Sequence, residues 1–177
     1  DALQQQFAAK ALQLSDGYRS EFIPNLNAWM AAITAPLARG MVLMVDYGFG
    51  QSQYYHPQRS AGTLVCHQRH QANFNPYQDV GLQDITAFVD FTAVAEAMDD
   101  AGLTVAGFTS QADFLLHNNI QQWVNENNGY AAYYDLVSEM KKLMLPDEMG
   151  EKFKCIAATK NWQGSLTAFQ NNRLHEL

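Results

Sequence analysis

An unbroken apolar run at residues 41–45, MVLMV, is the feature that most limits what this chain can fold into. Apolar side chains at every position are typical of a strand that is covered on both faces, as in a parallel sheet. The preceding residues, 26–37, place apolar side chains at helical spacing and are followed by Gly40. A helix followed by a buried strand predicts an α/β fold, with Asp46 at the carboxyl end of that strand.

Other periodic segments predict the order of elements along the chain. The connection at residues 47–83 is too long for an ordinary loop, so we expect it to bear function or to contain small elements of its own. Asp90, and Ser110 together with Asp113, have the pattern of helix N-caps. The predicted helices are residues 1–14, 91–101, 111–116, 119–127 and 130–145, and the predicted strands are residues 85–89, 103–108 and 153–159.

Charge and length argue against several classes of function. The net charge of -7 and the pI near 5.0 disfavour a nucleic-acid-binding surface, which needs clustered Lys and Arg. No stretch is long and apolar enough to predict a membrane span. The 177 residues fit one domain, residues 1–177, that is expected to be soluble and cytoplasmic. Cys66 and Cys155 are far apart in sequence and are expected to be reduced thiols.

Two further patterns carry little functional signal. Residues 48–50, GFG, lack the third glycine of a dinucleotide-binding fingerprint, and we expect a turn there that leads into a long loop rather than a helix. His56, Cys66, His67 and His70 do not match a defined zinc spacing. We therefore expect hydrogen-bonded loop histidines and no metal.

A series of long motifs carries a resemblance to a known family. The run RGMVLMVDYGFGQSQYYHPQRSAGTLVCHQRH, followed by GLQDITAFVDFTAVAEA, TSQADFLL and MGEKFKCIA, resembles the C-terminal half of the MidA family. Its members are S-adenosylmethionine-dependent methyltransferases, and the mitochondrial ones methylate an arginine on a subunit of respiratory complex I. The resemblance implies the C-terminal half of a Rossmann-like class I methyltransferase sheet with inserted helices. It also implies that the main S-adenosylmethionine-binding loop lies upstream of this chain, which would itself supply no cofactor-binding residue.

Methyl transfer to arginine defines the side chains to look for. Transfer from a sulfonium is an in-line displacement, so the protein must align the acceptor nitrogen and exclude water. A guanidinium acceptor is always charged, and carboxylates hold it by charge-assisted hydrogen bonds. We predict Glu21 and Asp46 as the catalytic carboxylates. The predicted substrate-binding residues are Tyr47, Tyr55, Arg59, His70, Asp84 and Asp90.

These residues also have structural interpretations. Glu21 could favour the positive end of a helix, and Asp46 could cap a turn. Asp90 fits a helix cap better than a substrate contact. Arg59 is more typical of a residue that pins a loop, and the tyrosines could simply cover the sheet.

Two functions from different classes follow. The first is an S-adenosylmethionine-dependent protein arginine methyltransferase, active when complete, of which this chain supplies the substrate-side half and is inactive alone. Its expected partner is a protein substrate, with a subunit of the respiratory complex I type as the example that the resemblance supplies, and its compartment would be mitochondrial in a eukaryote. The second is a non-catalytic binding or assembly module that lacks the cofactor half.

Overall fold

The computed structural model describes residue 12 and residues 14–69, 71–124 and 130–177. The helices are α1 (Leu26–Thr34), α2 (Gln51–Tyr54), α3 (Phe91–Asp100), α4 (Gln111–His117) and α5 (Tyr130–Met144). The strands are β1 (Gly40–Phe49), β2 (Val65–Gln68), β3 (Gln71–Asn73), β4 (Asp84–Thr86), β5 (Val89–Asp90), β6 (Thr104–Ser110) and β7 (Phe153–Lys160). Short 3₁₀ turns lie at Pro57–Arg59, Ile120–Trp123, Thr167–Phe169 and Leu174–Glu176.

The main sheet is four-stranded, in the order β5-β1-β7-β6. Strand β1 pairs with β7 in antiparallel register from Gly40 opposite Lys160 to Tyr47 opposite Phe153. Strand β6 pairs with the other side of β7, also antiparallel. Among the described strands, β5 is the one that pairs with β1 in parallel, over two residue pairs at the end of β1. The expected strand at residues 41–45 is confirmed, but its long partner is antiparallel rather than parallel.

The principal core lies on one face of this sheet, beneath α1 and α3. Val42 and Met44 of β1 pack against it. Its buried members are Leu26, Met30, Phe91, Val94, Ala97, Met98, Leu103, Phe108, Ile156 and Ala158. On the opposite face, a smaller cluster joins Cys155 and Ala157 of β7 to Ala168 and Phe169.

Strand β1 is not covered on that second face by the described residues. Met41, Leu43 and Val45 alternate with the core-facing residues and are 45%, 39% and 45% exposed. The prediction that this strand is buried on both faces is therefore wrong for the described structure. A run of apolar residues indicates that both faces of a strand are shielded from water, but it does not identify the segment that covers each face.

The long connection after β1 contains small elements, as expected. Strands β2, β3 and β4 form a second sheet in the order β3-β2-β4. The turn that precedes β4 exposes several large apolar side chains, namely Phe74, Tyr77, Val80 and Leu82. The predicted strand at residues 85–89 is divided between β4 and β5.

Both predicted N-caps are confirmed. Asp90 Oδ1 accepts a hydrogen bond from the Ala93 amide at the start of α3 (3.2 Å). Ser110 Oγ accepts one from the Asp113 amide at the start of α4 (3.1 Å) and donates to Asp113 Oδ2 (2.9 Å). These caps fix where β5 and β6 end, because each capping residue is extended while the next residue is helical.

Several predicted bounds differ from the observed ones. Helix α1 ends at Thr34 rather than continuing past Pro36, which is consistent with the lost backbone donor at proline. Of the helix predicted at residues 119–127, the described part is a 3₁₀ turn, and residues 125–129 lie outside the described structure. Nearly all of the helix predicted at residues 1–14 also lies outside it. No helix among the described residues is long and apolar enough to span a membrane.

Candidate functional site

The site is built where β1 and β5 end side by side. Phe49 lies opposite Asp90, so the residues that follow these two strands are brought together. Helix α2 begins immediately after Gly50, whereas the sequence had predicted a long loop there. The Gln51 amide donates to Thr92 Oγ1 at the start of α3 (2.7 Å), which ties the two connections to each other.

Glu21 is held against the loop that precedes β2. Its Oε2 accepts hydrogen bonds from the Thr63 amide and from Thr63 Oγ1, both at 2.9 Å. Its Oε1 accepts one from the Leu64 amide at 3.3 Å. The residues just before Glu21 are fixed to the same loop, since the Arg19 amide donates to the Ser60 carbonyl (2.9 Å). The Glu21 carboxylate therefore has a defined position and orientation.

Gly62 and Thr63, which the sequence prediction did not single out, hold the Glu21 carboxylate. Gly62 has a φ of +84°, and a Cβ placed there would lie 2.3 Å from Glu21 Oε1, so the close approach of this backbone to the carboxylate requires glycine. Thr63 Oγ1 also accepts a hydrogen bond from the Phe88 amide (3.0 Å). Thr63 thus connects Glu21 to the segment that leads into β5. The sequence signal that could have identified Gly62 and Thr63 was the GTL motif, which is part of the family resemblance.

A pair of buried tyrosines is linked to the Glu21 segment through Tyr54. Tyr54 is 2% exposed, and its hydroxyl donates to the Glu21 carbonyl at 3.1 Å. Burial, with added repulsion from the charges of Glu21 and Asp90, raises the pKa of Tyr54 to about 12. Tyr55 packs edge-on against it with ring centroids 4.9 Å apart. Burial and the neighbouring, hydrogen-bonded Asp90 carboxylate raise the pKa of Tyr55 well above its ordinary value. Both phenols are therefore neutral donors at physiological pH.

An open cavity of about 930 Å³ lies against Glu21. Tyr18, Arg19, Thr63 and Phe74 are among its other lining residues. Its wall combines apolar surface with one carboxylate and one guanidinium. Because the wall carries both charge signs, its composition alone does not select between a cation and an anion.

Asp46 lies apart from this cavity. It is opposite Lys154 in the β1–β7 register, and its Oδ1 accepts a hydrogen bond from the Tyr47 amide at 2.8 Å. It precedes the end of β1 by three residues, about 10 Å along the strand at the usual rise. The cavity's lining does not include Asp46, so the described structure does not bring the two predicted catalytic carboxylates to one wall.

The predicted substrate-binding residues do not come together at one site in the described structure. Tyr55 and Asp90 meet beside Tyr54, outside the cavity lining. Tyr47 packs edge-on against Phe88 and Phe153, with ring centroids 5.3 and 5.4 Å away, so it covers the sheet.

Of the remaining three predicted residues, two are described, and neither lines the cavity. The Arg59 guanidinium stacks over the Phe49 ring, with Cζ 4.0 Å from the ring centroid, and donates to the Gln53 carbonyl, so it pins the loop. Asp84 is exposed in β4, opposite His67. His70 lies outside the described residues.

The helix-dipole interpretation of Glu21 does not hold, and its hydrogen bonds to Thr63 and Leu64 give it a different structural role. Helix α1 begins at Leu26, and its first turn contains no acidic residue, so Glu21 does not act on the dipole of that helix. The structural alternative for Asp90 does hold, because Asp90 caps α3. Asp90 also lies beside Tyr55, whose pKa is raised by burial and by the Asp90 charge.

Metal and thiol chemistry receive no support from the described residues. Residues 14–69, 71–124 and 130–177 contain no cluster of three or more His, Cys, Asp or Glu side chains that could hold a metal ion. Cys66 and Cys155 are free and fully buried. Burial raises the pKa of the Cys155 thiol to about 12, which keeps it protonated and unreactive.

The GFG stretch does not fit a cofactor cradle. A Cβ at Gly48 would lie 2.1 Å from the Val89 carbonyl oxygen, and one at Gly50 would lie 1.9 Å from the Glu176 carbonyl oxygen. The space that each glycine leaves is therefore filled by the protein's own backbone. The described residues offer no glycine-lined opening at which a nucleoside cofactor could approach this strand end.

Comparison with known proteins identifies the family. A family profile described as "Putative S-adenosyl-L-methionine-dependent methyltransferase" matches residues 1–109. The chain belongs to this family, whose cofactor is S-adenosylmethionine. A comparison with curated proteins found no match.

Two solved structures show the same fold. The crystal structure of an uncharacterised protein from Burkholderia thailandensis is 38% identical, matches 98% of this chain and gives a TM-score of 0.91. A second structure from that organism, bound to S-adenosyl-homocysteine, is also 38% identical over 98% of this chain, with a TM-score of 0.92. This chain spans 48% and 46% of those two chains, or about half their length.

Proposed function

We propose that this chain is the C-terminal, substrate-side half of an S-adenosylmethionine-dependent protein arginine methyltransferase of the MidA type. The observation that carries the proposal is the 38% identity over 98% of the chain to a structure that binds S-adenosyl-homocysteine. On this view the sheet β5-β1-β7-β6 is one part of a Rossmann-like class I sheet with inserted helices. The cofactor site belongs mainly to the other part, consistent with the filled space at Gly48 and Gly50.

The role of this chain is to hold the acceptor side chain. Glu21 supplies a carboxylate whose orientation is fixed by Thr63 and Leu64 before any substrate arrives. The two oxygens of a carboxylate can accept about four hydrogen bonds. The Glu21 carboxylate already accepts three, from Thr63 and Leu64. One position on Oε1 remains for a donor in the cavity, so Glu21 would grip a guanidinium through one charge-assisted bond rather than as a symmetric fork.

Asp46 would act from a separate position, from within β1. A single bond from Glu21 leaves the other guanidinium nitrogens to be positioned by further groups. The sequence candidates are Asp46 and Tyr55, but neither lines the cavity, so either would reach this guanidinium only if substrate binding rearranged the site. A hydrogen bond to one side of the guanidinium would also keep its positive charge away from the nitrogen that accepts the methyl group.

The proposed partner is a protein whose exposed arginine reaches the cavity beside Glu21, for example a subunit of the respiratory complex I type. The proposed compartment is the cytoplasm, or the mitochondrion if the source is a eukaryote.

The test uses a fused protein, defined as the unmatched half of the S-adenosyl-homocysteine-bound B. thailandensis protein joined to the N-terminus of this chain. The fused protein is incubated with methyl-labelled S-adenosylmethionine and an arginine-rich protein mixture, and the labelled proteins are hydrolysed to amino acids. Labelled methylarginine is the expected product. Label on another residue type would contradict the arginine assignment. Cofactor binding without any transfer would favour the non-catalytic binding or assembly module.

A further inference from the structure

The β3–β4 turn, residues 74–83, presents large apolar side chains to solvent. Phe74, Tyr77, Val80 and Leu82 are 79%, 87%, 76% and 72% exposed. Single exposed apolar residues are ordinary on a protein surface, but several on one short segment are typical of an interaction site. Aromatic residues such as Phe74 and Tyr77 are also enriched where proteins bind one another.

The polar side chains of this segment hold the turn in one shape. The Asn75 amide donates to Asn73 Oδ1 (2.9 Å), and the Tyr77 amide donates to Asn75 Oδ1 (3.0 Å). Gln83 ties the end of the turn to its start, because its Nε2 donates to the Asn75 carbonyl (3.0 Å) and its Oε1 accepts from Asn73 Nδ2 (2.9 Å). A turn fixed in this way holds its apolar side chains in place before a partner binds, which lowers the entropic cost of binding.

The turn begins at the cavity that contains Glu21. Phe74, its first residue, lines that cavity together with Glu21 and Thr63. The pairing of β2 with β3 places Asn73 opposite Cys66, close in sequence to the loop that holds the Glu21 carboxylate. The exposed apolar surface is therefore continuous with the cavity at Phe74.

The charges on this segment are negative. Residues 71–88 contain Asp79 and Asp84, both exposed, and no Lys, Arg or His. The Arg19 guanidinium belongs to the cavity wall and not to the turn. Charges at the rim of a binding surface favour partners of the opposite sign and disfavour partners of the same sign. The turn thus fits a segment that is both apolar and basic.

We propose that the β3–β4 turn is the docking surface for the protein substrate, and that it binds an apolar, basic segment next to the arginine whose guanidinium enters the cavity beside Glu21. Recognition is then divided between two places. Glu21 selects the guanidinium, and the turn selects the residues that flank it. The inference rests on the proposed function in treating the cavity as the acceptor site.

Fluorescence anisotropy with two labelled peptides tests this surface in the isolated chain. The apolar peptide has one arginine flanked by leucine and phenylalanine residues, and the serine peptide has serine in place of those apolar residues. The apolar peptide should bind about tenfold more tightly, since one well-buried apolar side chain changes affinity by about that factor.

Variants of the turn locate the binding. Tyr77→Ser and Val80→Ser should each weaken binding of the apolar peptide by about tenfold and leave the serine peptide unchanged. Because both side chains are exposed, neither variant removes a core contact, and both should keep the melting temperature of the unchanged chain. Trp123→Ser is the matched control, because Trp123 is 78% exposed and lies outside the turn, and it should leave both affinities unchanged.

The fused protein tests whether the surface is used in catalysis. It should bind the apolar peptide with the same preference, and Val80→Ser should raise the KM for methylation of that peptide by about tenfold while kcat is unchanged. Loss of apolar-peptide binding on fusion would overturn the proposal, because the other half would then cover the turn. A dimer of the chain that Val80→Ser dissociates would overturn it too, because the occupant would be a second copy.

The remaining outcomes separate this proposal from the methyltransferase function. Equal affinity for the two peptides, or unchanged affinity in both turn variants, would overturn the docking surface. Methylation of both peptides with equal efficiency would do the same while leaving the methyltransferase function in place. The expected pattern of peptide binding without methyl transfer would support the docking surface and contradict the methyltransferase function.

Discussion

The Glu21 network should contribute measurably to the stability of the isolated chain. Glu21→Gln keeps the size of the side chain but replaces one carboxylate oxygen with an amide donor. If the amide oxygen retains Thr63, the new NH₂ group faces the Leu64 amide, and that hydrogen bond is lost. A hydrogen bond to a charged group contributes about 1.5–3 kcal/mol. Because Glu21 is partly exposed, we expect a loss near the lower end of that range, about 2 kcal/mol in the free energy of unfolding.

Urea unfolding followed by circular dichroism measures this loss, with Glu148→Gln as the control. Glu148 is an exposed glutamate after α5, so its substitution should change stability by less than about 0.5 kcal/mol. Thr63→Val removes the hydroxyl that bridges Glu21 and the Phe88 amide, and its effect should be less than additive with Glu21→Gln. A Glu21→Gln chain as stable as the Glu148→Gln control would refute the idea that the network fixes this carboxylate.

Two further predictions concern the chemistry of the site. In the fused protein, Glu21→Gln should lower the catalytic efficiency of arginine methylation per folded molecule by about tenfold to a hundredfold, since it removes a charge-assisted bond to the guanidinium. Asp46→Asn should do the same only if Asp46, which lies outside the cavity lining, reaches the same guanidinium in the complete enzyme. The double variant should be less than additive if both carboxylates grip one guanidinium, and unchanged activity in both single variants would remove them from the mechanism. In the isolated chain, the raised pKa values of Tyr54 and Tyr55 favour the neutral phenols, so the stability that these residues contribute is present below pH 10 and is lost as the pH rises above it. Absorbance titration should show a phase above about pH 11 that Tyr54→Phe and Tyr55→Phe each reduce, and its persistence in both variants would contradict the assignment.

Local signals predicted the elements that end at a recognisable cap. Asp90 and Ser110 were identifiable because a capping side chain needs only its own helix to act, and both caps are present. The run at residues 41–45 likewise predicted a strand. Its strand partner was not predictable, because pairing β1 with β7 joins residues that are far apart in sequence, and the apolar pattern is the same for parallel and antiparallel neighbours.

The site was only partly predictable for a related reason. Glu21 was selected for its charge, but the residues that hold it, Gly62 and Thr63, lie on a distant loop and have no distinctive chemistry of their own. Asp46 was expected at the strand end because the apolar run stops there. The strand continues to Phe49, since β5 pairs with its last residues, and Asp46 is therefore set back from the edge.

Calorimetric titration of S-adenosyl-homocysteine into the isolated chain and into the fused protein tests the central claim most directly. The filled space at Gly48 and Gly50 predicts weak or undetectable binding to the isolated chain, and the bound ligand in the solved relative predicts one site in the fused protein. Binding to the fused protein alone would agree with a methyltransferase whose cofactor site lies mainly outside this chain. Single-site micromolar binding to the isolated chain, or no binding to a folded fused protein, would contradict it.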